Sequence, residues 1–349
     1  MFFVANRKVG LGCKPFIIAE LSANHGGSIQ RAKDTILAAK TAGADAVKLQ
    51  TYTPDTMTLD SIKPDFLISD GLWEGYNLYE LYKEAYTPFE WHKELFEFAR
   101  THGVILFSTP FDETAVDLLS SLNAPAFKIA SFEMTDLPLI EYTASKGKPM
   151  FISTGMSNAD EIGDALECCY NNGNRDVLLF HCISNYPADL RTSHIGDMTY
   201  IAKQFKVEIG LSDHTTSNLA SIIAVAKGAS AIEKHFKLDE KDCGPDSSFS
   251  LLPDQLKSLC VDCESAYEAV KSSQLEREHS ELANKRFRRS LYFVTALSKG
   301  AVISKDDIRR VRPGFGLPPK YFDRVVGKKV IADVEFGDAV TLDVLQKDE

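Results

Sequence analysis

Phe16-Ile17-Ile18-Ala19-Glu20-Leu21, then Ser28 ahead of Arg31-Ala32-Lys33-Asp34-Thr35-Ile36-Leu37-Ala38-Ala39-Lys40, then Gly43, then Ala46-Val47-Lys48-Leu49-Gln50-Thr51: this stretch decides the fold. A short apolar run bounded by polar residues reads as a buried strand. Ser28 is a helix start signal and Gly43 a helix stop. A second apolar run follows at once, so the piece is a β-α-β unit. The unit recurs along the chain. Its candidate strands are Phe16–Leu21, Ala46–Thr51, Val104–Ser108, Ala126–Ala130, Pro149–Ser153, Val177–Cys182, Glu208–Leu211 and Ala231–His235. Pro88 opens the helical pattern Phe89–His102, which Gly103 closes, and Asn158 with Glu161 three residues later signals a capping box for Ala159–Cys169. Eight parallel strands allow a closed (β/α)₈ TIM barrel, which leaves no edge strand to protect.

Such a barrel takes roughly 250 residues, and the chain has 349. The remainder divides by composition. The barrel is expected over residues 1–272, a charged linker over 273–289, and a small β-rich domain over 290–349. The connection from Tyr52 to Thr87 is long and carries Trp73, Tyr76, Tyr79, Tyr82 and Tyr86, so it is expected over the barrel mouth. Thirty-nine basic against 49 acidic residues give a net charge of −10. No basic stripe is visible, which argues against a nucleic-acid partner. An acidic protein handling an anionic substrate must concentrate positive charge inside a cleft. Met1–Lys8 lacks the apolar core of a signal peptide, and no run of about 18 apolar residues exists. No membrane span and a cytoplasmic location are expected. Seven cysteines form no dense framework and read as reduced thiols; the CxxC at Cys260 and Cys263 has no partner pair and sits in a helical pattern.

Reactive groups of such barrels emerge at the C-terminal strand ends, and here those ends are polar. They carry Glu20, Ser22, Asn24 and His25; Lys48 and Gln50; Ser108, Thr109 and Asp112; Lys128 and Ser131; Ser153 and Thr154; His181, Ser184 and Tyr186; Ser212, Asp213 and His214; Lys234 and His235. A lone Ser or Thr there is more often a cap or turn residue. Two mid-strand lysines are harder to dismiss, because an unpaired buried ammonium is expensive. Lys48 and Lys128 need anions, and with nearby hydroxyls and turn N–H groups they suit a phosphate plus a carboxylate. His214 and His235 on neighbouring strand ends suit a borderline divalent metal, and Glu20 and Asp246 supply acids close by.

These residues fall in runs that resemble the sialic acid synthase family. The runs are Phe16-Ile17-Ile18-Ala19-Glu20 with Asn24-His25-Gly26-Gly27, Ala44-Asp45-Ala46-Val47-Lys48-Leu49-Gln50-Thr51, Phe107-Ser108-Thr109-Pro110-Phe111-Asp112, Phe127-Lys128-Ile129-Ala130-Ser131, Ile152-Ser153-Thr154-Gly155-Met156, Gly210-Leu211-Ser212-Asp213-His214, Ile232-Glu233-Lys234-His235-Phe236 and Gly244-Pro245-Asp246. They occur in order over nearly the whole chain. Val311-Arg312-Pro313-Gly314-Phe315-Gly316 and Gly327-Lys328 look like that family's C-terminal antifreeze-like (SAF) domain. Three stretches look most like the pseudaminic acid branch: Thr51–Thr56, Gly71–Tyr82 and Ser131–Asp136.

The resemblance implies a transferase that condenses phosphoenolpyruvate with an amino-sugar aldehyde. It places phosphoenolpyruvate on Lys48, Thr109, Lys128, Ser131, Ser153 and Ser212. Tyr186 joins this binding set, as does Ser184, which stands where the neuraminic branch has an Asn. A divalent ion, Mn²⁺ first and Mg²⁺ or Co²⁺ as alternatives, is expected on His214 and His235, with Glu20 and Asp246 facing the sugar. Arg312 of the partner subunit would complete the site in a domain-swapped homodimer. Other readings stay open: a synthase for N-acetylneuraminate or legionaminate, a Schiff-base aldolase using Lys128 or Lys234, or a sugar- or peptide-binding protein working through its tail.

Overall fold

A computed structural model of the chain describes residues 1–242, 244–271 and 279–347. It divides into two compact units, Met1–Ser272 and Ser273–Glu349.

The first unit opens with a hairpin, β1 (Phe2–Val4) and β2 (Arg7–Val9), which was not foreseen. Eight parallel strands follow: β3 (Phe16–Glu20), β4 (Ala46–Thr51), β5 (Ile105–Pro110), β6 (Phe127–Ile129), β7 (Met150–Ser153), β8 (Val177–Cys182), β9 (Glu208–Asp213) and β10 (Ala231–His235). Each pairs with the next, and β10 returns to β3 to close the barrel. All eight anticipated strands are present. The helix signals also hold. Ser28 accepts from the Arg31 amide, and Gly43 ends helix Ile29–Ala42 at φ +104°, a conformation that a Cβ would strain. Asn158 and Glu161 cap helix Ala159–Asn171 reciprocally.

Successive side chains on a strand point to opposite faces. Ile17, Ala19, Val47, Leu49, Ile129, Leu179 and Ile232 face outward and pack under the helices. Phe16, Ile18, Phe107, Phe151, Phe180 and Ala231 face the lumen. Phe2, Val4 and Val9 of the hairpin join this lumenal cluster, so the N-terminal end of the barrel is plugged by apolar side chains. Phe151 stacks on Phe16 and lies against Phe107 and Phe180, with ring centroids 5.4–6.1 Å apart. Water is thereby excluded from beneath the polar layer that lies above.

In the second unit β11 (Ser290–Phe293) pairs antiparallel with β12 (Ile308–Val311). Leu291, Phe293, Ile303, Ile308, Val325, Val330, Val334, Val340 and Leu345 form its core. Of the charged stretch Ser272–Arg289, residues 272–278 lie outside the described ones. The rest makes two short helical turns, His279–Leu282 and Ala283–Phe287.

Candidate active site

The lumen above the phenylalanine layer holds four buried ions. Lys48 Nζ lies 2.5 Å from Glu20 Oε2 and 3.8 Å from Glu233 Oε1; Lys128 Nζ lies 3.1 Å from the same Glu233 oxygen. None of the four is more than 4% exposed. Buried ions are tolerable only when paired, and each of these lies beside an opposite charge, although both Glu20 oxygens and Glu233 Oε2 have no hydrogen-bond partner. Lys48 also donates to Thr109 Oγ1 (3.0 Å) and Ser212 donates to Glu233 (3.2 Å). The lysines do have anions, as expected, but the protein supplies them. Burial pushes the Glu20 carboxyl up to about 7 despite Lys48 beside it. Burial pushes Glu233 up too, but Lys128 and Lys48 outweigh it and hold it below the usual carboxylate range.

A cavity of about 60 Å³ sits on this layer. Glu20, Lys48, Thr109, Lys128, Ser131, Ser153, Tyr186, Ser212, His214 and His235 all line it, together with Gln50, Phe111, Cys182 and Glu233. On one side the Gly155 amide donates to Ser131 Oγ (3.2 Å), and Cys182 Sγ lies 3.0 Å from Ser131 Oγ and 3.6 Å from Ser184 Oγ. A Cβ on residue 155 would sit 2.8 Å from Ser131 Oγ and 2.9 Å from Cys182 Sγ, and closer still to Ser184 Oγ. Only glycine lets three side-chain heads converge on its backbone there.

The two histidines stand side by side, ring centroids 5.5 Å apart. His214 Nδ1 pairs with the Ile183 carbonyl at 2.9 Å, leaving its Nε2 for another partner. His235 Nδ1 is buried with no hydrogen-bond partner. Burial pushes both rings below their ordinary pKa, so both are neutral, the form that ligates a metal. Among the described residues no group of three His, Cys, Asp or Glu side chains is arranged to hold an ion. The free nitrogens of His214 and His235 would be the side-chain donors to an ion bound here.

A second cavity, about 370 Å³, opens outward from the first and shares Gln50, Phe111, Ala130, Tyr186 and His235 with it. Asp246 lines this outer cavity, accepting from Ser22 Oγ, which in turn accepts from Gln50 Nε2 (3.0 Å). Its backbone is pinned by Ser250 (2.6 Å), and Trp73 Nε1 donates to the adjacent Pro245 carbonyl (3.1 Å). Trp73 also lies against Tyr186, and Tyr186 against His214. The long Tyr52–Thr87 connection thus does cover the mouth.

Two expectations need correction. Lys234 does not face the lumen: its ammonium pairs with Asp213 at 2.8 Å and donates to the carbonyls of Thr215 and Ser217, behind the sheet. His181 likewise turns away, to the Ser193 carbonyl (2.7 Å). Strand alternation gives the reason, since His235 inward forces Lys234 outward and Glu233 inward. The same rule would have found Glu233, and it would have found Cys182, two residues beyond the lumenal Phe180. Arg312 is exposed in the second unit, on a turn held by Ser290 Oγ, which donates to the Pro313 carbonyl (2.6 Å) and accepts from Gly316 N (3.0 Å).

The barrel mouth thus gathers two buried lysines, two buried imidazoles and an adjoining outer cavity. Residues 35–274 match the NeuB family and residues 288–346 the SAF domain. The chain is 43% identical over 327 residues to a pseudaminic acid synthase of Campylobacter jejuni, covering 94% of this chain and 95% of that one. It is 40% identical over 341 residues to a pseudaminic acid synthase of Helicobacter pylori, covering 95% and 98%. A crystal structure of an N-acetylneuraminic acid synthetase from Leptospira borgpetersenii superposes with a TM-score of 0.73 at 28% identity, over 81% of this chain and 94% of that one. The chain belongs to the NeuB family, the sialic acid synthases, and is an enzyme.

Proposed function

We propose that the chain condenses phosphoenolpyruvate with 2,4-diacetamido-2,4,6-trideoxy-L-altrose and water, giving pseudaminic acid and phosphate. The observation that carries this is the near-full-length likeness to pseudaminic acid synthases, and the lumenal geometry is consistent with it. Lys48, Lys128 and the hydroxyls of Thr109, Ser131, Ser153 and Ser212 hold the phosphate and carboxylate; Ser184 stands against Gly155 in reach of the same site. Glu233, between the two lysines, keeps both ammonium groups aimed inward. Holding both reactants removes much of the entropic barrier to C–C bond formation. The C3 of phosphoenolpyruvate attacks the aldehyde carbon, water adds at C2, and the tetrahedral intermediate expels phosphate by C–O cleavage. Glu20, whose carboxyl titrates near neutrality, can hold or release a proton at this point. Asp246 orients the sugar. His214 and His235 would hold a divalent ion, with Mn²⁺ preferred and Mg²⁺ or Co²⁺ as alternatives, which supplies polarisation of the aldehyde oxygen.

We propose that the reaction takes place in the cytoplasm. The working unit is proposed to be a domain-swapped homodimer in which Arg312 of the partner subunit reaches the sugar amides. Phosphate release from phosphoenolpyruvate should be fastest with the L-altro sugar when it is compared with a stereoisomeric diacetamido-trideoxyhexose and with N-acetylmannosamine. Faster release with either competitor would reassign the chain to the legionaminate or N-acetylneuraminate branch. Borohydride with pyruvate should leave Lys128 unlabelled.

A further inference from the structure

Lys234 and Asp213 take no part in the lumen, yet among the described residues they form the most completely buried ion pair. Their side chains are 0% and 1% exposed, and the ammonium lies 2.8 Å from Asp213 Oδ2. They stand opposite one another at the last paired position of β9 and β10. The next residue on each chain segment is a histidine of the site, His214 after Asp213 and His235 after Lys234. His214 is thus one residue past the end of the ladder. Its own bonds run to other neighbours: Nδ1 pairs with the Ile183 carbonyl, and its carbonyl accepts from the Ala188 amide at 3.0 Å. His235 Nδ1 has no partner.

Beyond the ladder, the Lys234 side chain crosses from one segment to the other. Its ammonium donates to the Thr215 carbonyl at 2.6 Å and to the Ser217 carbonyl at 3.0 Å, in the turn that leaves His214. Asp213 is held in the same knot: Oδ1 accepts from the Thr215 amide (2.8 Å), and Oδ2 accepts from Ser221 Oγ (2.7 Å). A buried ion pair is weak evidence for stability, because apolar side chains of the same volume often serve as well. Apolar side chains would not grip two carbonyls. We propose that Lys234, paired with Asp213, is a positioning residue that braces the turn after His214 and so sets the spacing of His214 and His235 for a divalent ion. The inference rests on the reading that these two imidazoles hold the ion, and adds to it the group that fixes where they stand. Loss of a group that orients metal ligands costs about 10–100-fold in metal affinity.

The test is the affinity of the metal-stripped full chain for Mn²⁺, read from the free-ion signal in electron paramagnetic resonance, in the double variant Lys234→Met with Asp213→Asn. Removing both charges together leaves no unpaired ion buried, and the Asn carbonyl oxygen can still accept from the Thr215 amide. The Kd for Mn²⁺ should rise at least fivefold, while the Kd for phosphoenolpyruvate on the metal-free chain stays within threefold of wild type. A rise below fivefold, or a loss of phosphoenolpyruvate affinity beyond threefold, overturns the brace. The pair would then support the barrel in general, a role that lowers Tm and leaves the spacing of the imidazoles to others. Should the double variant not fold, Ser221→Ala decides. It removes one hydroxyl from the knot and should weaken Mn²⁺ binding at least twofold; unchanged binding overturns the brace. His214→Ala tests the underlying reading separately. If it binds Mn²⁺ as the wild type does, the imidazole is no ligand, and the brace falls with that reading.

Discussion

The floor and the roof of the mouth solve opposite problems. On the floor Glu20, Lys48, Lys128 and Glu233 are buried with opposite charges set against one another. In the outer cavity Leu78, Leu81, Ile68 and Met57 are apolar, and Glu133 is half-buried and, among the described residues, outside any ion pair. On the proposed reading, the floor exchanges one set of ion pairs for another when phosphoenolpyruvate enters, which keeps the desolvation cost of binding low. The outer cavity mixes this apolar surface with the polar groups of Gln50, Tyr52, Tyr82, Glu133, Tyr186, His235 and Asp246. Chemistry shared by a whole family belongs on the first surface, and selection among sugars on the second.

Removing floor groups should therefore hurt every sugar equally. EDTA should abolish turnover and Mn²⁺ restore it. His214→Ala or His235→Ala should lose metal affinity and activity together, because a ligand lost from so small a set leaves too few donors. Full activity of either variant after exhaustive chelation would take the ion out of the reaction. Lys48→Met and Lys128→Met should each cost more than about tenfold in kcat/KM, since a charge-assisted contact is worth roughly 1.5–3 kcal/mol and Glu233 loses a partner besides. A change below twofold with all sugars would move the anion elsewhere.

Arg312→Ala should act differently, raising KM for the sugar more than for phosphoenolpyruvate. If it works across subunits, co-expressing Arg312→Ala with Lys128→Met should restore up to about one quarter of wild-type activity, because random pairing makes half the dimers mixed, each with one intact site. No recovery from verified mixed dimers would confine Arg312 to its own chain or exclude it from the site.

The legible part of this molecule was the part with a period. The eight strands alternate with capped helices, and Ser28, Gly43, Asn158 and Glu161 do locally what their types dictate. The floor lysines were legible because a mid-strand ammonium demands an anion, although the anions found are the protein's own Glu20 and Glu233. Glu233 was missed because a Glu beside a Lys looks like an ordinary pair, until the two-residue alternation assigns them to opposite faces of β10. The hairpin Phe2–Val9 was missed because three-residue strands carry too few side chains to show alternation. The core of the second unit was missed for a similar reason: Leu291, Ile303, Val325 and Val340 come from turns far apart in sequence. The apolar part of the outer cavity was seen only as a set of aromatics, since which helix face turns inward is a tertiary fact.

The smallest expected effect tests the roof alone. Glu133 ends the turn Ser131–Glu133 that follows β6, and it lines the outer cavity beside Tyr82 and Phe132. Burial pushes its carboxyl up to about 7, with Asp136 adding to the shift and Lys128 opposing it only weakly. A raised carboxyl pKa means that the folded chain binds this proton more tightly than the unfolded chain does. Raising the pH from about 4.5 through about 7 therefore removes stability. Glu133→Gln keeps the shape and cannot ionise, so comparing it with the wild type cancels every other titrating group. The variant should gain on the wild type in Tm between pH 5 and pH 8, by a few degrees for a unit of this size, where each kcal/mol shifts Tm by roughly 2–4 °C. The same substitution logic applied to Glu233 should run the other way, because its pKa is lowered by Lys128 and Lys48 and its ionised form stabilises the fold. A Tm gap between wild type and Glu133→Gln that does not change with pH would mean that the roof holds a compensated charge after all, and the contrast with the floor would collapse.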